Sequence, residues 1–278
     1  MKLRSLVLSA SAVLALSACS FNDTGLFIGD AKNPPNSGAL MRMAKHAEAS
    51  GRDENAAALY RQAHELHPFD SAPLTGWGFL ANRVGAHDQA VDIFTKAVSV
   101  DETDTDARRG LANALVNLDR PQEALGHYEA LLDRDPEDFR AWNGKGVVLD
   151  LLGEHLAAQE AYREGLAAAP DNLSLANNLG LSLALDGQFD AAIETLNRIA
   201  SGDVDSITAR QNLALAYGLA GRDDDAARVA SRDLAPRHVS GNLEYYRAAR
   251  ATRQSAPGAG QLELETMGPV AVPPVTIE

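Results

Sequence analysis

Side chains able to do chemistry are thinly scattered along this chain of 278 residues. Of its seven histidines, His46, His64, His67, His87, His127, His155 and His238, the pair His64 and His67 share a helix face beside Leu66 and Pro68, without a third ligand at zinc spacing. They read as surface or packing residues, and no metal is expected. Asp101, Asp104 and Asp106 resemble a calcium loop only in outline, because its glycine and closing glutamate are missing from the required positions. Carboxylates favour helix N-termini, so these aspartates read as caps for the following helix. Gly144-Lys145-Gly146 lacks the rest of a phosphate-binding loop and falls inside a helical stretch. With no nucleophile elbow either, neither an enzyme nor a cofactor is expected. The carboxamides are more informative. Asn143, Asn177 and Gln211 recur at a spacing of 34 residues, and Asn178 and Asn212 stand beside the last two. Carboxamides both donate and accept, so a ladder of them at repeat spacing can hold the backbone of an extended peptide with little regard to its sequence. The other reading leaves the amides solvated or capping neighbouring helices.

The elements that would position these residues follow from the same period. Between residues 37 and 254 Ala, Leu and charged residues fall at three- and four-residue spacing, the mark of amphipathic helices. A gap-free shift of 34 residues aligns six copies, cut as 37–70, 71–104, 105–138, 139–172, 173–206 and 207–240. One column is Ala56, Ala90, Ala124, Ala158, Ala192 and Ala226, and another is Ala44, Gly78, Ala112, Gly146, Gly180 and Ala214. Small residues in both suit two helices whose backbones cross closely. A third column, Gly51, Gly85, Asp119, Gly153, Gly187 and Gly221, marks a tight turn needing positive φ, with Asp119 the one departure. Tyr60, Phe94, Tyr128, Tyr162 and Leu196 supply bulk between repeats, whereas the sixth copy has Ala230. Pro68, Pro136 and Pro170 close three of the second helices. Leu243, Tyr245, Tyr246 and Ala249 then sit at helical spacing and predict a capping helix over 241–254.

Charge narrows the partners. With 25 basic against 38 acidic residues the formal charge is -13, so a phosphate backbone is repelled and nucleic acid is not expected as a partner. Aromatic residues, at 5%, are too sparse for a base-stacking platform.

At the N-terminus, Lys2 and Arg4 precede an apolar run, Leu6 to Leu16, that is too short to span a bilayer and reads as a signal peptide, 1–18. Its end, Leu16-Ser17-Ala18-Cys19, resembles the lipobox of bacterial lipoproteins, which implies that Cys19, the lone cysteine, carries the lipid. Cleavage there would remove two basic residues, leaving 23 against 38 and a charge of -15. Each buried acyl methylene contributes about 0.8 kcal/mol, so several chains hold a protein at a membrane durably. Ser20 after the cysteine implies, by the Gram-negative lipoprotein pattern, the outer membrane. Residues 19–36, with Pro34-Pro35, read as the lipidated end and a flexible tether, and 255–278, with Pro257, Pro269, Pro273 and Pro274, as a disordered tail.

The repeat columns resemble the tetratricopeptide family over 37–240. That resemblance implies an all-α, right-handed superhelical solenoid of six helix pairs plus the capping helix, with the first helices lining a binding groove. The carboxylate-clamping set of some members is not assembled, because Arg109 and Lys145 do not recur in matching columns. Two stretches, 177–185 (NNLGLSLAL) and 210–218 (RQNLALAYG), resemble the TadD family of tight-adherence pilus lipoproteins. So does the ending Ala230-Ser231-Arg232-Asp233-Leu234-Ala235-Pro236 with Asn242, Tyr245 and Arg247. This implies a lipid-anchored protein facing the periplasm that assists assembly of a Flp-type pilus or secretion machine, with a secretin or other machine component as partner. The alternative is an envelope adaptor recruiting peptidoglycan hydrolases or proteases.

Overall fold

A computed structural model of the chain describes residues 36–201 and 206–255. The expected signal peptide, Cys19, most of the tether and nearly all of the tail lie outside the described residues. Among those described, every regular element is a helix. They form the pairs α1 (Ser37–Ala49) and α2 (Asp53–Leu66), α3 (Ala72–Arg83) and α4 (His87–Val100), α5 (Thr105–Asn117) and α6 (Pro121–Leu132), α7 (Phe139–Leu151) and α8 (His155–Ala168), α9 (Leu173–Leu185) and α10 (Phe189–Ala200), and α11 (Ile207–Leu219) and α12 (Asp223–Ala230). A last helix, α13, runs over Pro236–Ser255. The array is a solenoid of helix pairs, as the spacing predicts.

Local chemistry sets the helix limits. Asn36, Asp104, Asp138, Asn172 and Ser206, one column of the repeat, each accept a hydrogen bond from the backbone N–H three residues on, satisfying a donor that the helix start leaves open. Between the helices of each pair the backbone turns through positive φ at Gly51, Gly85, Gly153, Gly187 and Gly221, and at Asp119 with φ 56°.

The small-residue columns are explained by the rings they face. Phe94, fully buried, lies between α3 of its own pair and α5 of the next. A Cβ on Gly78 would come within 2.6 Å of this ring, and one on Gly110 within 2.3 Å. Tyr128 blocks Gly144 and Tyr162 blocks Gly146 in the same way. The alanine column from Ala56 to Ala226 is fully buried in all six pairs. Phe94 thus serves two pairs at once, so stability is shared between neighbours.

The C-terminal end departs from the expected boundaries. The sixth pair's second helix stops at Ala230, and the final helix begins at Pro236 instead of residue 241. Two interactions account for this. Arg210 of α11 donates to Asp233 through Nε (2.7 Å) and a terminal nitrogen (2.6 Å), drawing residues 231–235 onto α11. Proline at the first helical position then pre-sets φ for α13 and needs no donor there. Bulk that Ala230 cannot supply comes from Tyr246, which is buried and packs on Gly218.

Candidate peptide-binding face

The first helices α3, α5, α7, α9 and α11 lie side by side, and a polar bridge crosses each junction between them. Ser71, just before α3, and Thr75 within it donate to Asp104 Oδ2 at 2.7 and 2.8 Å. From α5, Arg109 reaches Asp138 Oδ2 at 2.9 Å. Asn178 Nδ2 of α9 donates to Asn143 Oδ1 of α7 at 2.9 Å, and Asn212 Nδ2 of α11 to Asn177 Oδ1 at 3.0 Å. Thr75, Arg109, Asn143 and Asn177 stand in one column, so a single repeat position makes all four bridges. Both ends of the Arg109–Asp138 pair are largely buried. Burial pulls the Arg109 pKa down, but its bonds to Asp138 and Asp106 outweigh this and leave it raised.

This arrangement changes the reading of the carboxamides. Asn143, Asn177, Asn178 and Asn212 are 2%, 6%, 1% and 1% exposed, and they bond to one another across the row. Gln211 is half-buried. Asn178 and Asn212 occupy the column that holds Gly76, Gly110 and Gly144 earlier, where side chains point between helices. The amides therefore join repeats instead of standing free as a ladder. The Oδ1 of Asn212 is buried with no hydrogen-bond partner. The face does open beside one of them: Phe139, Arg140, Asn143, Asn172 and Ser174 line a small cavity of about 140 Å³ between the starts of α7 and α9.

Of the three aspartates read as caps, one takes that role. Asp104 caps α5, Asp106 pairs with Arg109, and Asp101 accepts from Thr103. Lys145, inside α7, pairs with Glu129 at 3.2 Å. Among the described residues no group of three or more His, Cys, Asp or Glu side chains could hold a metal.

A buried cluster went unnoticed in the sequence. Asp150 accepts from Ser182 Oγ (2.7 Å) and the Tyr162 hydroxyl (3.0 Å), and its Oδ1 is 2.8 Å from His155 Nδ1. The residue types are those of a hydrolytic triad, but the order is not. The carboxylate lies between serine and histidine, so the Ser182 hydroxyl faces an acid instead of the imidazole nitrogen that would take its proton. His155 Nε2 is buried without a partner. Burial, then the neighbouring Asp150 charge, pushes the Tyr162 phenol well up. Only buried columns that happen to be polar could have signalled this cluster.

Comparison with known proteins agrees with the geometry. The family model described as tetratricopeptide repeat matches residues 109–172 and 152–206. An uncharacterized protein, y4yS, of Sinorhizobium fredii is 48% identical over 61 residues, which is 22% of this chain and 34% of that protein, so the match spans about a third of its length. A solved tetratricopeptide repeat protein of Parabacteroides merdae superposes with a TM-score of 0.65 at 19% identity, covering 84% of this chain and 93% of its own. The solved pilF protein of Pseudomonas aeruginosa gives 0.64 at 16% identity, covering 77% and 97%. At such identities the structural likeness concerns the fold. The family model thus matches residues 109–206, about a third of the chain, and the described helix pairs share the fold of these solved tetratricopeptide-repeat arrays.

Proposed function

We propose that the protein is an outer-membrane-anchored scaffold facing the periplasm, where it captures a component of a Flp-type pilus or related secretion machine during assembly. The observation that carries the reading is the continuous row of first helices, locked by a polar bridge at each junction and opening into the cavity beside Asn143. A pre-formed face of this kind binds a segment without paying to order itself. The resemblance of 177–185 and 210–218 to the TadD family supplies the pilus assignment, and the fold shared with the pilF protein is in keeping with it. Location comes from lipid on Cys19, and the 17 residues from Ser20 to Asn36 supply reach.

Cross-linked pull-down of the tagged, lipidated protein from solubilised envelopes tests this, with bound proteins identified by mass spectrometry. Enrichment of a secretin or another pilus-machine component is expected; cell-wall hydrolases or proteases in its place would move the assignment to an adaptor. Cys19→Ser is expected to release the protein from washed outer membranes, and a variant that still pellets with them would contradict the lipid anchor.

A further inference from the structure

One edge of the first-helix face differs from the rest in composition. The repeat column at the start of each first helix reads Ser37, Ser71 and Thr105 in the first three repeats, but Phe139, Leu173 and Ile207 in the last three. Leu173 is 41% exposed and Ile207 52%, and Phe139 stands half-buried at the cavity with Arg140, Asn143, Asn172 and Ser174. Phe139 also packs against the core, but the exposed parts of Leu173 and Ile207 beside it gain the fold nothing and leave an apolar rim open to a ligand.

The spacing identifies the ligand's conformation. Helices packed directly side by side keep their axes about 8–10 Å apart. A polyproline-type segment advances about 9 Å in three residues, so its residues i, i+3 and i+6 meet one repeat each. A helix laid along the row advances about 5.4 Å per turn, so only every second turn would meet a repeat. Charge identifies one end. Arg109 and Arg210, on the same row, are each closed by an aspartate. Arg140 is exposed, its guanidinium lies 4.9 Å from the centre of the Phe139 ring, and its one carboxylate contact is the backbone N–H that it donates to Asp138, so among the described residues no salt bridge holds its charge. In a chain of formal charge -13, this arginine is complementary to an acidic group.

We infer that Phe139, Leu173 and Ile207 bind an extended, proline-containing segment of the partner, with an apolar residue at every third position and a carboxylate at the Arg140 end. The inference rests on the scaffold reading above and specifies the chemistry of what is captured.

The test measures fluorescence anisotropy with the full-length protein in detergent and the labelled peptide Glu-Val-Pro-Pro-Val-Pro-Pro-Val-Glu. The control has the same residues with the three valines contiguous. Wild type is expected to bind the spaced peptide at least tenfold more tightly than the control, and Leu173→Ser with Ile207→Ser to abolish that preference. Arg140→Gln is expected to weaken the acidic peptide about tenfold and leave a glutamine-ended version unchanged. Both apolar positions are exposed, so the double variant keeps its helicity, which circular dichroism checks. Equal binding of the two peptides, or a preference surviving in the folded double variant, would overturn the inference. If that variant still recovers the envelope partner as well as wild type does, the inference fails while the scaffold reading stands; a wild-type pull-down with no specific partner defeats the scaffold reading itself.

Discussion

Asp233 is held by Arg210 through two short hydrogen bonds in a largely buried site, and that guanidinium keeps its carboxyl below the usual aspartate range. A lowered folded pKa means that the native state favours the ionised form. The stabilisation is complete above the unfolded value of about 3.9 and is lost as pH falls through the lower folded one. Asp233→Asn is therefore expected to cost about 3 kcal/mol at pH 7, since it takes the charged partner from a buried guanidinium. The difference from wild type should shrink in melts near pH 3. The asparagines make a second test at this scale. Asn178→Ala removes the bridge to Asn143, and a lost buried hydrogen bond costs about 1–3 kcal/mol, so the midpoint in urea should fall. An unchanged midpoint would contradict a stabilising role for the bridge. Their spacing was legible in the sequence, but their direction was not. Where Gly110 and Gly144 give way to Asn178 and Asn212, a small residue and an internal amide fill the same slot, and only packing tells a bridge from an open ladder.

Helix limits were the most legible feature, because they rest on rules that act within a few residues. The glycine column announced positive φ in five turns, and Asp119 sits in the same left-handed conformation without being glycine. That conformation costs a residue with a side chain roughly 1–2 kcal/mol. Opposite substitutions should then move stability in opposite directions. At Gly85 nothing lies within 4 Å of an added Cβ, so Gly85→Ala should lose about 1 kcal/mol through the backbone alone, while Asp119→Gly should hold or raise stability. Chemical denaturation of the two variants checks both signs. The short α12 and early α13 were not legible, because what ends the sixth pair is a contact between Arg210 and Asp233, 23 residues apart.

Across the repeat array, large side chains such as Phe94 pack against neighbouring pairs, and α13 closes the last pair. Arg247 and Arg250 reach Asp223, Arg250 also reaches the Gly218 carbonyl, and Arg253 reaches the Leu185 carbonyl. Cations placed at the C-terminal ends of α9 and α11 are favourable there. Burial pushes the Tyr246 phenol up to about 12, in keeping with a ring packed inside the array. Tyr246→Ala should cost about 3 kcal/mol by leaving a cavity. In a repeat array that loss is local. Hydrogen exchange should quicken in α11, α12 and α13 and stay unchanged in α3 and α4; uniform quickening would mean that the array unfolds as one unit.

That the row of first helices is the partner-binding face is tested most directly by a photo-cross-linking residue placed at Leu173 and, separately, at exposed Glu160 on the second helix α8, in cells making the full-length protein. A discrete adduct from position 173 and none from 160 is the predicted result; an adduct from 160 alone would put the partner on the opposite helices and contradict the account.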